Sequence, residues 1–80
     1  MKNKLILILN DYAKAKKFNE ETNKFSSDID VIRGRYILDA KSLLALFTLD
    51  LSQPIDVILH SDDEEEIKRF KEVMKEFEWW

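Results

Sequence analysis

The stretch IDVIRGRYIL, residues 29–38, contains two short β-prone runs on either side of Arg33-Gly34-Arg35. Runs rich in β-branched and aromatic residues around a glycine predict a β-hairpin. Gly34 is the only glycine of the chain, and it suits the turn because a residue without Cβ adopts a positive φ at little cost. The other elements therefore have to be placed around this hairpin.

An amphipathic helix is predicted before the hairpin, over Tyr12 to Phe25, because its larger apolar residues recur at spacings of three and four. Asn10 or Asp11 can cap this helix, since a short side-chain oxygen accepts a bond from the free N–H groups of the first turn. The wholly apolar run Leu5 to Leu9 predicts a central strand with helices on one face. It is much shorter than the roughly 20 residues of a membrane span.

A short, very apolar helix is predicted after the hairpin, over Leu43 to Phe47, with two possible caps in Asp39 to Ser42. Pro54 interrupts the helical pattern, because a proline fixes φ and lacks the N–H that a helix needs. The run Ile55 to His60 then predicts a fourth strand that begins next to this proline.

The last helix has a strong predicted start, because Ser61-Asp62-Asp63-Glu64 matches the Ser-x-x-Glu capping box. The acidic run Asp62 to Glu66 is expected to be mainly a solvated face that complements the positive helix N-terminus. Trp79 and Trp80 are expected to pack against the sheet or this helix, with an exposed anchor for a partner as the alternative. The order β-α-β-β-α-β-α with short connections predicts an α+β fold, with helices on one face of a largely antiparallel sheet.

Composition excludes several classes of protein. With 80 residues, of which 45% are apolar, the chain is expected to form one domain over residues 1–80. The sequence has no cysteine, which excludes disulfides, thiolate metal sites and cysteine nucleophiles and fits a reducing cytosol. A net charge of −3 argues against a nucleic-acid partner. No catalytic grouping of residues indicates an enzyme, and no cofactor is expected. We interpret His60, next to the acidic run, as the end of a strand and not as part of a metal site.

Two motifs resemble segments of the HPr family, the small phosphocarrier proteins of the bacterial sugar phosphotransferase system. Asn23-Lys-Phe-Ser-Ser-Asp-Ile29 resembles the family's segment between its first helix and second strand, and Lys41-Ser-Leu-Leu44 resembles its regulatory Lys-Ser-hydrophobic motif. Both align with the same offset, and the resemblance covers about Lys4 to Phe77. It implies an HPr-like open-faced β-sandwich, with a four-stranded, largely antiparallel sheet and three helices on one face.

The resemblance also implies a missing phosphoacceptor. The family's histidine begins the first helix and is followed by Ala, Arg and Pro, but Asp11, Tyr12, Ala13 and Lys14 occupy these positions here. The only histidine, His60, lies at the far end of the predicted fourth strand. Histidine phosphorelay is therefore not expected. Asp11 reads as an N-cap, or alternatively as a fixed mimic of the phosphate charge or an acyl-phosphate acceptor.

Ser42 is the candidate regulatory residue. In related HPr proteins of some bacteria the matching serine is phosphorylated by a dedicated kinase, and the product acts as a corepressor with a transcription factor. Members that lack the histidine, the catabolite-repression HPr homologues, retain only this role. The resemblance thus implies a regulatory phosphorylation site at Ser42 and a partner-binding region at Lys41, Leu43, Leu46 and Phe47. The alternative is that Ser42 is an unmodified helix cap.

Three functional hypotheses follow. The first is a cytoplasmic regulatory HPr-like protein that is switched at Ser42 and binds a serine kinase and a transcriptional regulator. The second is a phosphotransfer component with Asp11 as an atypical acceptor. The third is an unmodified interaction module that uses the apolar surface near Leu46 and Phe47. All three expect protein partners, no direct nucleic-acid or membrane binding, and a monomer or weak dimer.

Overall fold

The elements follow the predicted order β-α-β-β-α-β-α. The structure is a computed structural model that describes residues 3–79; the prediction for Trp80 lies outside the described residues. The strands are β1 (Lys4–Leu7), β2 (Ile29–Arg33), β3 (Tyr36–Asp39) and β4 (Ile55–Leu59). The helices are α1 (Tyr12–Thr22), α2 (Leu43–Leu46) and α3 (Glu64–Val73), and a 3₁₀ turn (Met74–Phe77) follows α3.

The four strands form one antiparallel sheet in the order β1-β4-β2-β3. The predicted α+β fold, an open-faced sandwich with three helices on one face, is confirmed. Alternate residues of β4 show the two faces clearly, because Ile55, Val57 and Leu59 are buried while Asp56 and Ile58 are only partly buried. A period of two places successive side chains on opposite faces, so one face of the sheet packs on the core and the other remains open.

The position predicted for the first strand is wrong. β1 lies at one end of the sheet and pairs only with β4 within it, whereas a central strand was expected. The outer side of β1 is nevertheless covered, because the N–H of Ile8 donates to the Phe77 carbonyl at 2.8 Å and the N–H of Trp79 donates to the Ile6 carbonyl at 3.1 Å. The C-terminal segment therefore covers the hydrogen-bonding edge of β1.

Aromatic rings join the helices to one another in the core. Phe18 of α1 meets Phe77 edge to face at 5.6 Å between ring centroids, and Phe25 meets Phe70 of α3 in the same way at 5.9 Å. Edge-to-face pairs of this kind add about 1 kcal/mol beyond the burial of their area. They therefore link α1 to the 3₁₀ turn and link α3 to the loop that follows α1.

The hairpin turn has the geometry that the glycine predicted. Gly34 has a φ of +61°, and its neighbour Arg35 has no positive φ. A glycine with positive φ at the first of two turn residues, followed by a residue with negative φ, matches a type II′ turn, whose twist suits the flanking strands. Arg33 and Tyr36 then close the hairpin opposite each other.

The start predicted for the last helix is two residues too early. Asp63 is the N-cap, because its carboxylate accepts the N–H of Glu65 at 3.0 Å, while Ser61 Oγ only accepts the N–H of Asp63 at 3.1 Å. The acidic run is mainly solvated, as predicted, but Glu66 is an exception, because only 6% of it is exposed. Its carboxylate accepts hydrogen bonds from the hydroxyl groups of Ser26 and Ser27 and from the N–H of Ser27.

The Glu66 carboxylate is stabilised in its charged form. Hydrogen bonds from the hydroxyls of Ser27 and Ser61 lower the pKa of Glu66 to about 2, against an ordinary value of 4.5. Donors that are aimed at a carboxylate favour its ionised form. Glu66 therefore ties α3 to the loop before β2, and the acidic run contains one anchoring residue among solvated ones.

Candidate functional site

Asp11 caps the first helix. Its φ of −147° is extended, and its carboxylate Oδ1 accepts the N–H of Lys14 at 2.8 Å. Asn10, the other predicted cap, instead takes a φ of +69° at the bend that leads into Asp11. The carboxylate satisfies one of the free N–H groups of the helix terminus. The capping prediction for Asp11 is confirmed.

A cleft of about 460 Å³ lies next to this helix start, between Tyr12 and the loop Leu49 to Ser52. Two carboxylates line it, those of Asp11 and Asp50. The Ser52 hydroxyl and N–H donate to Asp50 at 2.6 and 3.1 Å, and these bonds lower the pKa of Asp50. No lysine or arginine is among the described residues that line the cleft, although the positive charge of Arg33 also helps to lower the pKa of Asp50. The two carboxylates that line the cleft themselves disfavour a bound anion.

Ser42 stands at the start of α2 as its N-cap. The Ala45 N–H donates to Ser42 Oγ at 3.3 Å, and the Ser42 N–H donates to the Asp39 carbonyl at 3.0 Å. The residue is half-buried. Its hydroxyl therefore sits where β3 passes into α2, and a group added to Oγ would compete with the capping bond.

An aromatic pair connects the start of α1 to the end of α2. The rings of Tyr12 and Phe47 meet edge to face with centroids 5.1 Å apart. Tyr12 is 66% exposed, Phe47 38% and Leu44 80%. We call these three residues the Tyr12–Phe47 surface. It is an exposed apolar surface that joins the Asp11 helix start to the Ser42 helix.

The predicted partner-binding residues are not equally accessible. Leu46 is fully buried, so the expectation that it contacts a partner is wrong; α2 is a short helix with leucines on several sides, and packing turns Leu46 to the core. Lys41 and Leu43 are half-buried, and Lys41 Nζ donates to the Phe25 carbonyl at 2.7 Å. Phe47 is the one of the four that is clearly exposed.

Sequence reasoning missed two exposed residues of this surface. The spacing of apolar residues predicts that Tyr12 belongs to the apolar stripe of α1, yet it is the first residue of that helix and is exposed. Its hydroxyl group and its place at the helix end are the signals that could have indicated its exposure. The sequence does not distinguish Leu44 from the other leucines of α2, because a helix of four residues is too short for its spacing to separate a buried face from an exposed one.

His60 lies at the opposite end of the sheet from Asp11. β1 and β4 run antiparallel with Leu7 opposite Ile55, so the end of β4 is far from the segment that leads into Asp11. His60 Nε2 contacts the Asp30 carboxylate at 2.8 Å. The only imidazole of the chain is therefore remote from the Tyr12–Phe47 surface. Among the described residues, no helix is long and apolar enough to cross a membrane.

Comparisons with known proteins agree with this fold. A family model described as "PTS HPr component phosphorylation site" matches residues 12–78. A comparison with curated proteins found no significant match. The chain is similar to the solved structure of HPr-C-His from Thermoanaerobacter tengcongensis, with 25% identity and a TM-score of 0.71, covering 91% of this chain and 90% of the other.

Two further solved structures share the fold at lower identity. The histidine-containing phosphocarrier protein of Mycoplasma is 22% identical with a TM-score of 0.67, over 91% of this chain and 92% of the other. The catabolite repression protein Crh of Bacillus subtilis is 23% identical with a TM-score of 0.65, over 92% and 88%. The structural similarity thus extends over nearly the whole length of each protein.

Proposed function

The chain belongs to the HPr family of the phosphotransferase system, and we propose that it acts in the cytoplasm as a regulatory binding protein of this family, not as a histidine phosphocarrier. In this proposal Ser42 is the switch, and the Tyr12–Phe47 surface is where partner proteins dock. The protein itself catalyses no reaction. Its partners are an HPr-type serine kinase and a transcriptional regulator, and it binds neither nucleic acid nor a membrane directly.

The observation that carries the proposal is the carboxylate cap at the start of α1. Asp11 occupies the place where the family has its phosphoacceptor histidine, and its carboxylate is engaged with the Lys14 N–H. The adjoining cleft holds a second carboxylate, that of Asp50. Transferred phosphate is stabilised by cationic and N–H donors, and two carboxylates oppose it. The arrangement supports a role without histidine phosphotransfer.

The Ser42 region supports the switch. Ser42 caps α2, and Leu44 and Phe47 of the Tyr12–Phe47 surface follow within five residues. A phosphate adds nearly two negative charges, so at Ser42 it would place charge beside an exposed apolar surface and change which partners bind there. The similar Crh protein is named for catabolite repression, which agrees with a regulatory role.

Intact-mass analysis tests the switch directly. Wild type, Ser42→Ala and the matched control Ser52→Ala are incubated with ATP and an HPr serine kinase from the same organism. We expect one added phosphate on wild type and on Ser52→Ala, whose exposed serine lies outside α2, and none on Ser42→Ala. If a known HPr gains phosphate in the same reaction and this chain does not, the switch at Ser42 is disproved for that kinase.

Two other functions make different predictions. If Asp11 accepts phosphate, incubation with the general phosphotransferase enzyme and labelled donor would label wild type but not Asp11→Asn. The label would be lost in hydroxylamine, as an acyl phosphate is.

The exposed Tyr12–Phe47 surface favours the third function, an unmodified interaction module. A partner that binds Ser42→Ala as well as wild type but fails to bind Phe47→Ala would identify that module.

A further inference from the structure

The two edges of the sheet differ in whether another segment of the chain covers them. The outer side of β1 is covered by the C-terminal segment, through the bonds from Ile8 N–H to Phe77 and from Trp79 N–H to Ile6. β3 is the other edge and pairs only with β2. We infer that the outer edge of β3 is a docking site for β3 of a second copy of this chain, paired antiparallel with Ile37 at the centre.

The backbone of β3 defines this register. Arg33 and Tyr36 flank the two-residue turn and so form a hydrogen-bonded pair, as closing residues of such hairpins do. The next pair, Ile32 with Ile37, is then a non-hydrogen-bonded pair. The N–H and C=O of Ile37 therefore point outward, away from β2. Two copies related by a twofold axis at Ile37 can exchange both of these bonds.

The charges beside the two ends of β3 are complementary in that register. Pairing Ile37 with Ile37 of the second copy brings Arg35, the turn residue that precedes β3, to the same end as Asp39 of the other copy, so unlike charges meet twice. Both residues are exposed, and the Asp39 carboxylate also accepts the N–H of Lys41 at 2.9 Å. The nearby Lys41 ammonium is directed inward, to the Phe25 carbonyl at 2.7 Å. Opposite charges directly across antiparallel strands stabilise the pairing.

Apolar side chains lie on both faces of the edge. Ile37 is opposite Ile32 on the open face and is 67% exposed. Tyr36, also 67% exposed, shares the other face with Leu38, where a cleft of about 340 Å³ lies between β3 and Thr48 and Leu49. In the proposed register Tyr36 of the second copy faces Leu38 at the mouth of this cleft. Pairing thus removes apolar surface from water on both sides.

The length of β3 limits the strength of this contact. The strand has four residues, so the buried area is well below that of a standard stable interface, and we expect a weak dimer with a dissociation constant of about 0.1 to 1 mM. Proteins commonly protect an exposed edge by keeping the strand very short, or with an inward-pointing charge, a lysine or a proline. β3, with the sequence Tyr-Ile-Leu-Asp, is short but has neither a lysine nor a proline.

A dilution series of the full chain tests the inference by NMR. Between about 1 mM and 0.05 mM, we expect the amide signals of residues 35–39 to shift while those of β1 stay in place. Ile37→Lys puts two like charges at the centre of the contact and should weaken association by about tenfold. The matched control Ile6→Lys changes an exposed isoleucine of β1 that lies on the same open face of the sheet. This variant should associate as strongly as wild type.

A charge exchange gives a second test that does not depend on Ile37. Arg35→Glu and Asp39→Lys should each lose self-association, because each places like charges opposite one another. An equimolar mixture of the two variants should regain it, since unlike charges then meet at both ends. Absence of shifts up to about 1 mM would overturn the inference. A dimer that survives Ile37→Lys, or one whose shifts map to the Tyr12–Phe47 surface, would overturn it as well.

Discussion

Replacing Glu66 by glutamine should remove a pH-dependent part of the stability of this protein. The pKa of Glu66 is lowered from 4.5 to about 2 by hydrogen bonds, first from the Ser27 hydroxyl and then from Ser61. Because the folded state binds the proton less tightly than the unfolded state, this stabilisation is complete above a pH of about 4.5 and is lost as the pH falls toward 2.

The pKa shift sets an upper limit for the effect. At about 1.4 kcal/mol per pH unit, it corresponds to at most about 3 kcal/mol. The carboxylate lies close to the surface, beside the exposed Ser26, and solvent screening reduces such interactions. We therefore expect Glu66→Gln to lower the free energy of unfolding by about 1 to 2 kcal/mol at pH 7.

Urea unfolding at a series of pH values measures this contribution. The matched control is Glu72→Gln, an exposed glutamate on the same helix. The difference between wild type and Glu66→Gln should shrink between pH 4.5 and pH 2, the range over which Glu66 loses its charge. The difference between wild type and Glu72→Gln should stay small throughout. If both variants showed the same pH dependence as wild type, the anchoring role of Glu66 would be refuted.

Three further predictions concern packing, capping and the turn. Leu46→Ala should lower the free energy of unfolding by about 2 to 5 kcal/mol in urea, because it opens a cavity around a fully buried side chain. Its control Leu44→Ala should change the free energy of unfolding by less than about 0.5 kcal/mol. Equal costs would contradict the assigned faces of α2. Asp11→Ala should cost about 1 kcal/mol by circular-dichroism thermal unfolding, because the Lys14 N–H loses its acceptor. Gly34→Ala should cost about 1 kcal/mol or more, because φ is +61° there, and a neutral result would show that the turn can change type.

The order of the elements could be predicted because each one has a local cause. Gly34 supplies the positive φ of the hairpin turn, Asp11 supplies the cap of α1, and Ser42 supplies the cap of α2. These signals depend on neighbours within a few residues and are therefore visible in the sequence. The absence of a histidine from the start of α1 is visible in the same way.

The candidate site was only partly predictable. Phe47 is exposed as expected, but Leu46 is buried and Tyr12 is exposed, contrary to prediction. α2 has four residues, three of them leucine, so its own sequence does not say which leucine faces the core. The contact between the Tyr12 and Phe47 rings joins residues 35 positions apart, and no local pattern encodes such a contact.

Local sequence patterns are enough to predict the class of fold, the turn at Gly34 and the helix cap at Asp11, and they show that no histidine stands at the start of α1. The packing of the folded chain sets which edge of the sheet is covered and which leucine of α2 is buried. It also buries Glu66, unlike the rest of the acidic run, against the loop at Ser27. The first set follows from interactions between near neighbours in the chain. The second follows from packing between distant segments, where the shape of the whole core selects which side chains are enclosed.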